Sequence, residues 1–143
     1  MFFIFFSLTM DILSLVSWQW LVVMIIFSQL CGFVWYSFLF GKMYQKELKV
    51  TDADMQKGAS DMPKNMIFET IARLLYFVAL AIILWLVSAE YLWIAGIAYF
   101  CAALTADWSS VIWSNGQSWR MWVMRSGKLL IDTIVAIVLY GML

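Results

Sequence analysis

The chain has 143 residues, of which 65% are hydrophobic and 13% charged, and its mean hydropathy is +0.89. Soluble domains average about a quarter charged residues, so this composition excludes an ordinary water-soluble domain and points to an integral membrane protein. Nine basic and nine acidic side chains cancel and form no basic tract, which sets nucleic acid aside as a partner.

Taking about twenty apolar residues as one crossing, the chain reads as an all-α integral membrane protein. Four transmembrane helices are expected at about 18–40, 66–87, 91–113 and 121–142, in one antiparallel bundle that makes residues 1–143 a single domain. The leading stretch MFFIFFSLTMD lacks the basic region and cleavage site of a secretory signal. It is expected at the outer interface or as an outward extension of the first helix, with Met10 as an alternative start.

The first helix runs into GFVWYSFLFGKMYQKEL, where Gly41 is expected to cap its carboxyl end. The polar link 41–65 follows. In it Thr51-Asp52-Ala53-Asp54 resembles a capped helix start and Gly58 a stop, and Pro63 suits the first turn of the second membrane helix. Only Ser88, Ala89 and Glu90 separate the second and third spans, which predicts a tight hairpin.

Lysines 42, 46, 49, 57 and 64 fill the link, and Arg120, Arg125 and Lys128 open the last helix. By the positive-inside rule both termini face outward and the first and third links face the cytoplasm. Two aromatic belts are expected, Trp18, Trp20, Trp85, Tyr91, Trp93 and Tyr140 outside and Trp35, Tyr36, Tyr44, Trp113, Trp119 and Trp122 inside.

Ionisable groups inside a span are costly and are normally turned inward, paired or functional. Glu69, Arg73, Asp107, Arg125, Lys128 and Asp132 raise that question. At about 1.5 Å per residue they all fall in the inner half of the bilayer or at its centre. Glu69 and Arg73 share one helix face, as do Arg125, Lys128 and Asp132. Gly96, Ala103, Asp107 and Ser110 lie on a third small and polar stripe, and Gln29, Gly32 and Tyr36 supply the first helix's contribution. Four stripes converge in a bundle.

Three readings of this cluster stay open. It is a structural ion-pair network, or a pathway with Asp107 and Asp132 as carriers and Arg73 and Lys128 as counter-charges, or a contact surface for another membrane subunit. Enzymatic readings lack their residues. There is no histidine to act as base or ligand, no GxSxG elbow and no GxGD around either aspartate. No zinc ligand set is present, and FETIARLL is not the pattern of glutathione-transferring membrane enzymes. The small four-helix multidrug exporters place a glutamate in the first span, where this chain has Gln29. Cys31 and Cys101 are expected as small packing residues. No enzyme activity, cofactor or metal is therefore expected.

The run from Gly32 through Trp35, Tyr36, Ser37, Phe40, Gly41, Lys42, Lys46 and Glu47, with a second block at Gly116, Trp122 and Gly127, resembles the bacterial membrane family of domain of unknown function 1761. Phe38 stands where that family commonly has proline, and Gln117-Ser118 where it has arginine-proline. The resemblance implies a small polytopic protein of the bacterial inner membrane and no particular activity. The leading expectation is a protein that works by packing through Ser28, Gly32, Gly96, Ala103 and Ser110, as a homo-oligomer or an accessory subunit among membrane lipids. The alternative is a small transporter or proton or ion pathway. A third reading is headgroup binding through Arg120, Arg125 and nearby tryptophans.

Overall fold

The computed structural model describes residues 16–113 and 119–143, without the side chains of Leu48 and of residues 108–113. Expectations for residues 1–11, for Gly116 and for the Ser110 and Trp113 side chains lie outside the described residues. All regular structure among the described residues is helical. Helix α1, Trp18–Val34, runs directly into a π-helical turn, Trp35–Leu39. Helices α2 (Gly41–Leu48) and α3 (Asp52–Leu86) follow, and a short 3₁₀ turn, Ala89–Tyr91, leads to α4 (Leu92–Trp113) and then α5 (Trp119–Met142).

Helix α1 packs on α3 and α5, α3 on α4, and α4 on α5, so the four long helices close a ring; short α2 lies against α5 and the π turn. One end of this bundle carries the α3–α4 hairpin, where the Tyr91 N–H donates to the Ser88 carbonyl at 2.9 Å, and is called the hairpin end. The other, with α2 and the start of α3, is called the link end. Three segments, Trp18–Leu39, Asp52–Leu86 and Ala89–Asp107, are long and apolar enough to cross a membrane. Helix α5, at 24 residues, has the length but carries Arg120, Arg125, Lys128 and Asp132.

The polar link 41–65 is mostly helical. Thr51 does start a helix through a reciprocal capping box: its hydroxyl accepts the Asp54 N–H at 3.2 Å, while the Asp54 carboxylate accepts the Thr51 N–H at 2.9 Å. Gly58 does not stop that helix and Pro63 does not begin one; α3 runs 35 residues through both. The stretch is exposed, so water can take the carbonyl that Pro63 leaves unpaired and the helix continues. Gly41 is likewise not a carboxyl cap but the first residue of α2. The π turn places the Tyr36 carbonyl oxygen 3.0 Å from where a Cβ on residue 41 would lie, so close approach selects glycine there.

The apolar core sits toward the hairpin end. Trp20, Leu21, Met24, Phe77, Leu80, Leu84, Ala136 and Ile137 are each at most 3% exposed. Trp20, expected in the outer aromatic belt, is in this core instead. Its Nε1–H donates to the Ala136 carbonyl at 3.0 Å, and its ring meets Phe77 and Tyr140 edge-on. Trp18, Trp85, Tyr91 and Trp93 are exposed at that end, as an interfacial belt requires. Helix α4 reaches α5 through Gly96, where a Cβ would overlap Ile137 Cδ1 and lie 2.8 Å from its Cγ1. Cys31 is half-buried, whereas Cys101 is exposed rather than packed.

Candidate functional site

Below the core, toward the link end, the helices part around a cleft of about 1030 Å³. Helix α1 and the π turn give it Ser28, Gln29, Gly32 and Tyr36; α3 gives Glu69, Arg73 and Tyr76; α4 gives Ala103 and Asp107; α5 gives Arg125, Ser126 and Lys128. Tyr44 closes one side, its ring edge-on to Tyr36 at 5.3 Å between centroids.

The most buried group is a node on α5 at the boundary between core and cleft. The Lys128 ammonium donates to Asp132 Oδ2 and to Ser28 Oγ, both at 2.7 Å, and the Ser28 hydroxyl donates to the same Asp132 oxygen at 2.8 Å. Side-chain exposure is 2% for Lys128 and 0% for Asp132. Gly32 makes room for this lysine, because a Cβ there would stand 3.4 Å from Lys128 Cε. Arg73 bridges outward from the node, with Nη1 3.7 Å from Asp132 Oδ2 and Nε donating to Glu69 Oε1 at 2.8 Å. Burying these charges is sustainable only because each meets its opposite within reach.

Asp107 and Arg125 form a separate ion pair between α4 and α5. The pathway reading matched Arg73 and Lys128 to the two aspartates; that holds for Asp132, whereas Asp107 pairs with Arg125. Gln29 turns sideways, donating to Thr70 Oγ1 at 2.9 Å and tying α1 to α3. Gly96 lies at the opposite end of the bundle and takes no part. Arg120 reaches Glu47 of α2 at 3.4 Å with its side chain half exposed.

Several groups here escaped the sequence reading or had another role in it. Ser28, expected only as a packing residue, is a hydrogen-bonding member of the ionic node. The Tyr76 hydroxyl lies 2.8 Å from Thr133 Oγ1 and the Tyr99 hydroxyl donates to the Tyr76 carbonyl at 3.1 Å, a polar strut through α3, α4 and α5. The signal was present, since Tyr76 follows Arg73 by three residues and Thr133 adjoins Asp132. Two buried side-chain oxygens, Asp132 Oδ1 and Ser126 Oγ, have no hydrogen-bond partner among the described residues. No group of three or more acidic or cysteine side chains among the described residues could hold a metal ion.

Ring closure, an apolar plug at one end and a charged cleft at the other define a small helical protein with three helices able to cross a membrane. The chain belongs to the family described as protein of unknown function (DUF1761), which it matches over residues 20–141. Neither the curated proteins nor the solved structures contain a match to it. The two sequence blocks that carry the family resemblance meet in space. Trp35 of the first donates its Nε1–H to the Met124 carbonyl at 2.9 Å, and a Cβ on Gly127 of the second would lie 3.0 Å from its ring. That contact is packing: it locks the π turn onto α5 and so holds Tyr36 at the cleft.

Proposed function

We propose that the chain is a non-enzymatic, four-span protein of the bacterial cytoplasmic membrane that binds a polar ligand in the charged cleft. The link end faces the cytoplasm and both termini face outward. One observation carries this reading. The cleft is large, lined by ion pairs and stopped at the hairpin end by a core in which Met24, Phe77 and Leu80 are 0% exposed. A one-ended cleft suits capture better than passage. The lysines of α2 and α3 support the orientation.

Self-association or an accessory-subunit role has less to rest on. Ser28 and Gly32 pack against Lys128, and Gly96 against Ile137, all within the chain. The cleft reading is tested with Ala103→Cys, at a partly exposed position of the cleft wall, in a background where Cys31 and Cys101 are alanine. A membrane-impermeant thiol reagent should label it in inverted vesicles and not in right-side-out ones; no labelling from either side removes the cleft. Proteoliposomes should show no proton flux beyond protein-free ones. A flux abolished by Asp132→Asn would replace the binding reading with the carrier reading.

A further inference from the structure

We infer that the ligand of this cleft is a membrane lipid with a zwitterionic headgroup, one ammonium and one phosphate, admitted from the leaflet at the link end. The inference rests on the binding reading above and adds the chemical class and the route.

The first argument is charge. Glu69, Arg73, Asp107, Arg125, Lys128 and Asp132 sum to zero, and the ion pairs among them join each to a group of opposite sign. A ligand of net charge entering this partly desolvated site would leave that charge uncompensated. A zwitterion adds none. Its ammonium can approach the carboxylate of Glu69 or Asp107 while its phosphate approaches the guanidinium of Arg73 or Arg125, completing a ring of alternating charge beside pairs that already exist.

The second argument is unmet hydrogen bonding. Ser126 lines the cleft and its buried hydroxyl has no hydrogen-bond partner among the described residues, so a turn of this side chain toward the cleft lets it donate to a phosphate oxygen. The third is the wall. Leu30, Phe33, Met62 and Met66 line the same cleft, yet are 62%, 55%, 50% and 48% exposed. Leu30 and Phe33 belong to the segment Trp18–Leu39, which is apolar enough to span, so this side of the cleft meets acyl chains. A charged floor with an apolar flank at membrane depth fits a headgroup and its chains together.

The full chain, purified in mild detergent, is melted with dihexanoyl phosphatidylethanolamine, with dihexanoyl phosphatidylglycerol and with glycerophosphoethanolamine. Binding to the folded state raises the midpoint by mass action. The ethanolamine lipid should raise it clearly more than the glycerol lipid. Glu69→Gln removes one negative charge from a half-exposed position and should turn the preference toward the anionic glycerol lipid, and Asp107→Asn should do the same at the second pair. Equal shifts from both lipids, or no shift, overturn the inference. A shift from glycerophosphoethanolamine as large as from the lipid keeps the zwitterion and overturns the membrane source. Labelling of Ala103→Cys separates the two levels: with labelling intact and no lipid preference, the cleft stands and its ligand class falls; without labelling, both fall.

Discussion

The hairpin half and the link half of this bundle are cut from the same four long helices and bury their interiors in different ways. Toward the hairpin, Trp20, Met24, Phe77, Leu80 and Ile137 fill the space with aromatic and aliphatic side chains, and the polar atom among them, the Trp20 indole N–H, is satisfied by the Ala136 carbonyl. Toward the link, the helices part and the interior is lined by ions. In a bilayer the hydrophobic effect does not draw helices together, because lipid tails are as apolar as leucine. The hairpin half must therefore cohere by close packing and the link half by charge pairing. The two modes predict different responses to the same kind of mutation.

The largest effect is expected where the two halves join. Asp132→Ala leaves Lys128 and Arg73 without their shared carboxylate, and breaking a buried pair from one side costs about 3–5 kcal/mol. Adding Lys128→Met should recover part of that loss, because the double variant buries fewer unmatched charges. Thermal unfolding in detergent measures both. If the double variant is no more stable than Asp132→Ala, charge pairing is not what holds the link half.

Glycine substitutions probe packing in each half. Gly96→Ala in the hairpin half drives a methyl into Ile137, an overpacking expected to cost about 1–3 kcal/mol, and Ile137→Ala should relieve it. Gly32→Ala in the link half meets only the flexible Lys128 stem at 3.4 Å and should be milder. Gly58→Ala, with nothing within 4 Å, should stabilise α3 by about 0.5–1 kcal/mol through helix propensity alone. Equal costs at Gly96 and Gly32 would erase the distinction between a tight half and an open one.

The sequence made part of this legible, for identifiable reasons. Long apolar runs and the three-residue gap at Ser88 to Glu90 announce the helices and the hairpin, because length and period are local properties. The charged stripes were legible too, since spacings of three and four put Glu69 with Arg73 and Lys128 with Asp132. Trp20 was not, because a tryptophan near a span's end serves equally as an interfacial anchor. Its fate is decided by a carbonyl on α5 distant in sequence, although Trp20, Met24, Ser28 and Gly32 lie four apart on one stripe. Gly58 misled because a lone glycine costs a helix interior only about 1 kcal/mol, and Pro63 because the carbonyl it leaves unpaired in an exposed helix turns to water. The π turn depends on Trp35 docking beside Gly127, a contact between two segments that no single stretch contains.

The smallest effect tests whether the start of α3 behaves as a water-exposed extension of the bundle. At about 1.5 Å per residue a 35-residue helix exceeds the roughly 30 Å of hydrocarbon, so its first turns project beyond the link end. There the Thr51 hydroxyl, and then its backbone N–H, hold the Asp54 carboxyl below its ordinary value of 3.8. A carboxyl lowered on folding stabilises the helix end fully above the unfolded value and loses that contribution as pH falls through the folded one. Fraying of the first turn, read by amide hydrogen exchange, should therefore grow below about pH 4 while the node at Asp132 stays protected. Thr51→Ala should fray that turn already at neutral pH and flatten its acid response, because the hydroxyl that lowers the Asp54 value is gone. An acid response unchanged by the substitution would mean that the cap does not set it. Protection of the node lost over the same pH range would mean that the link end and the buried charges open as one unit.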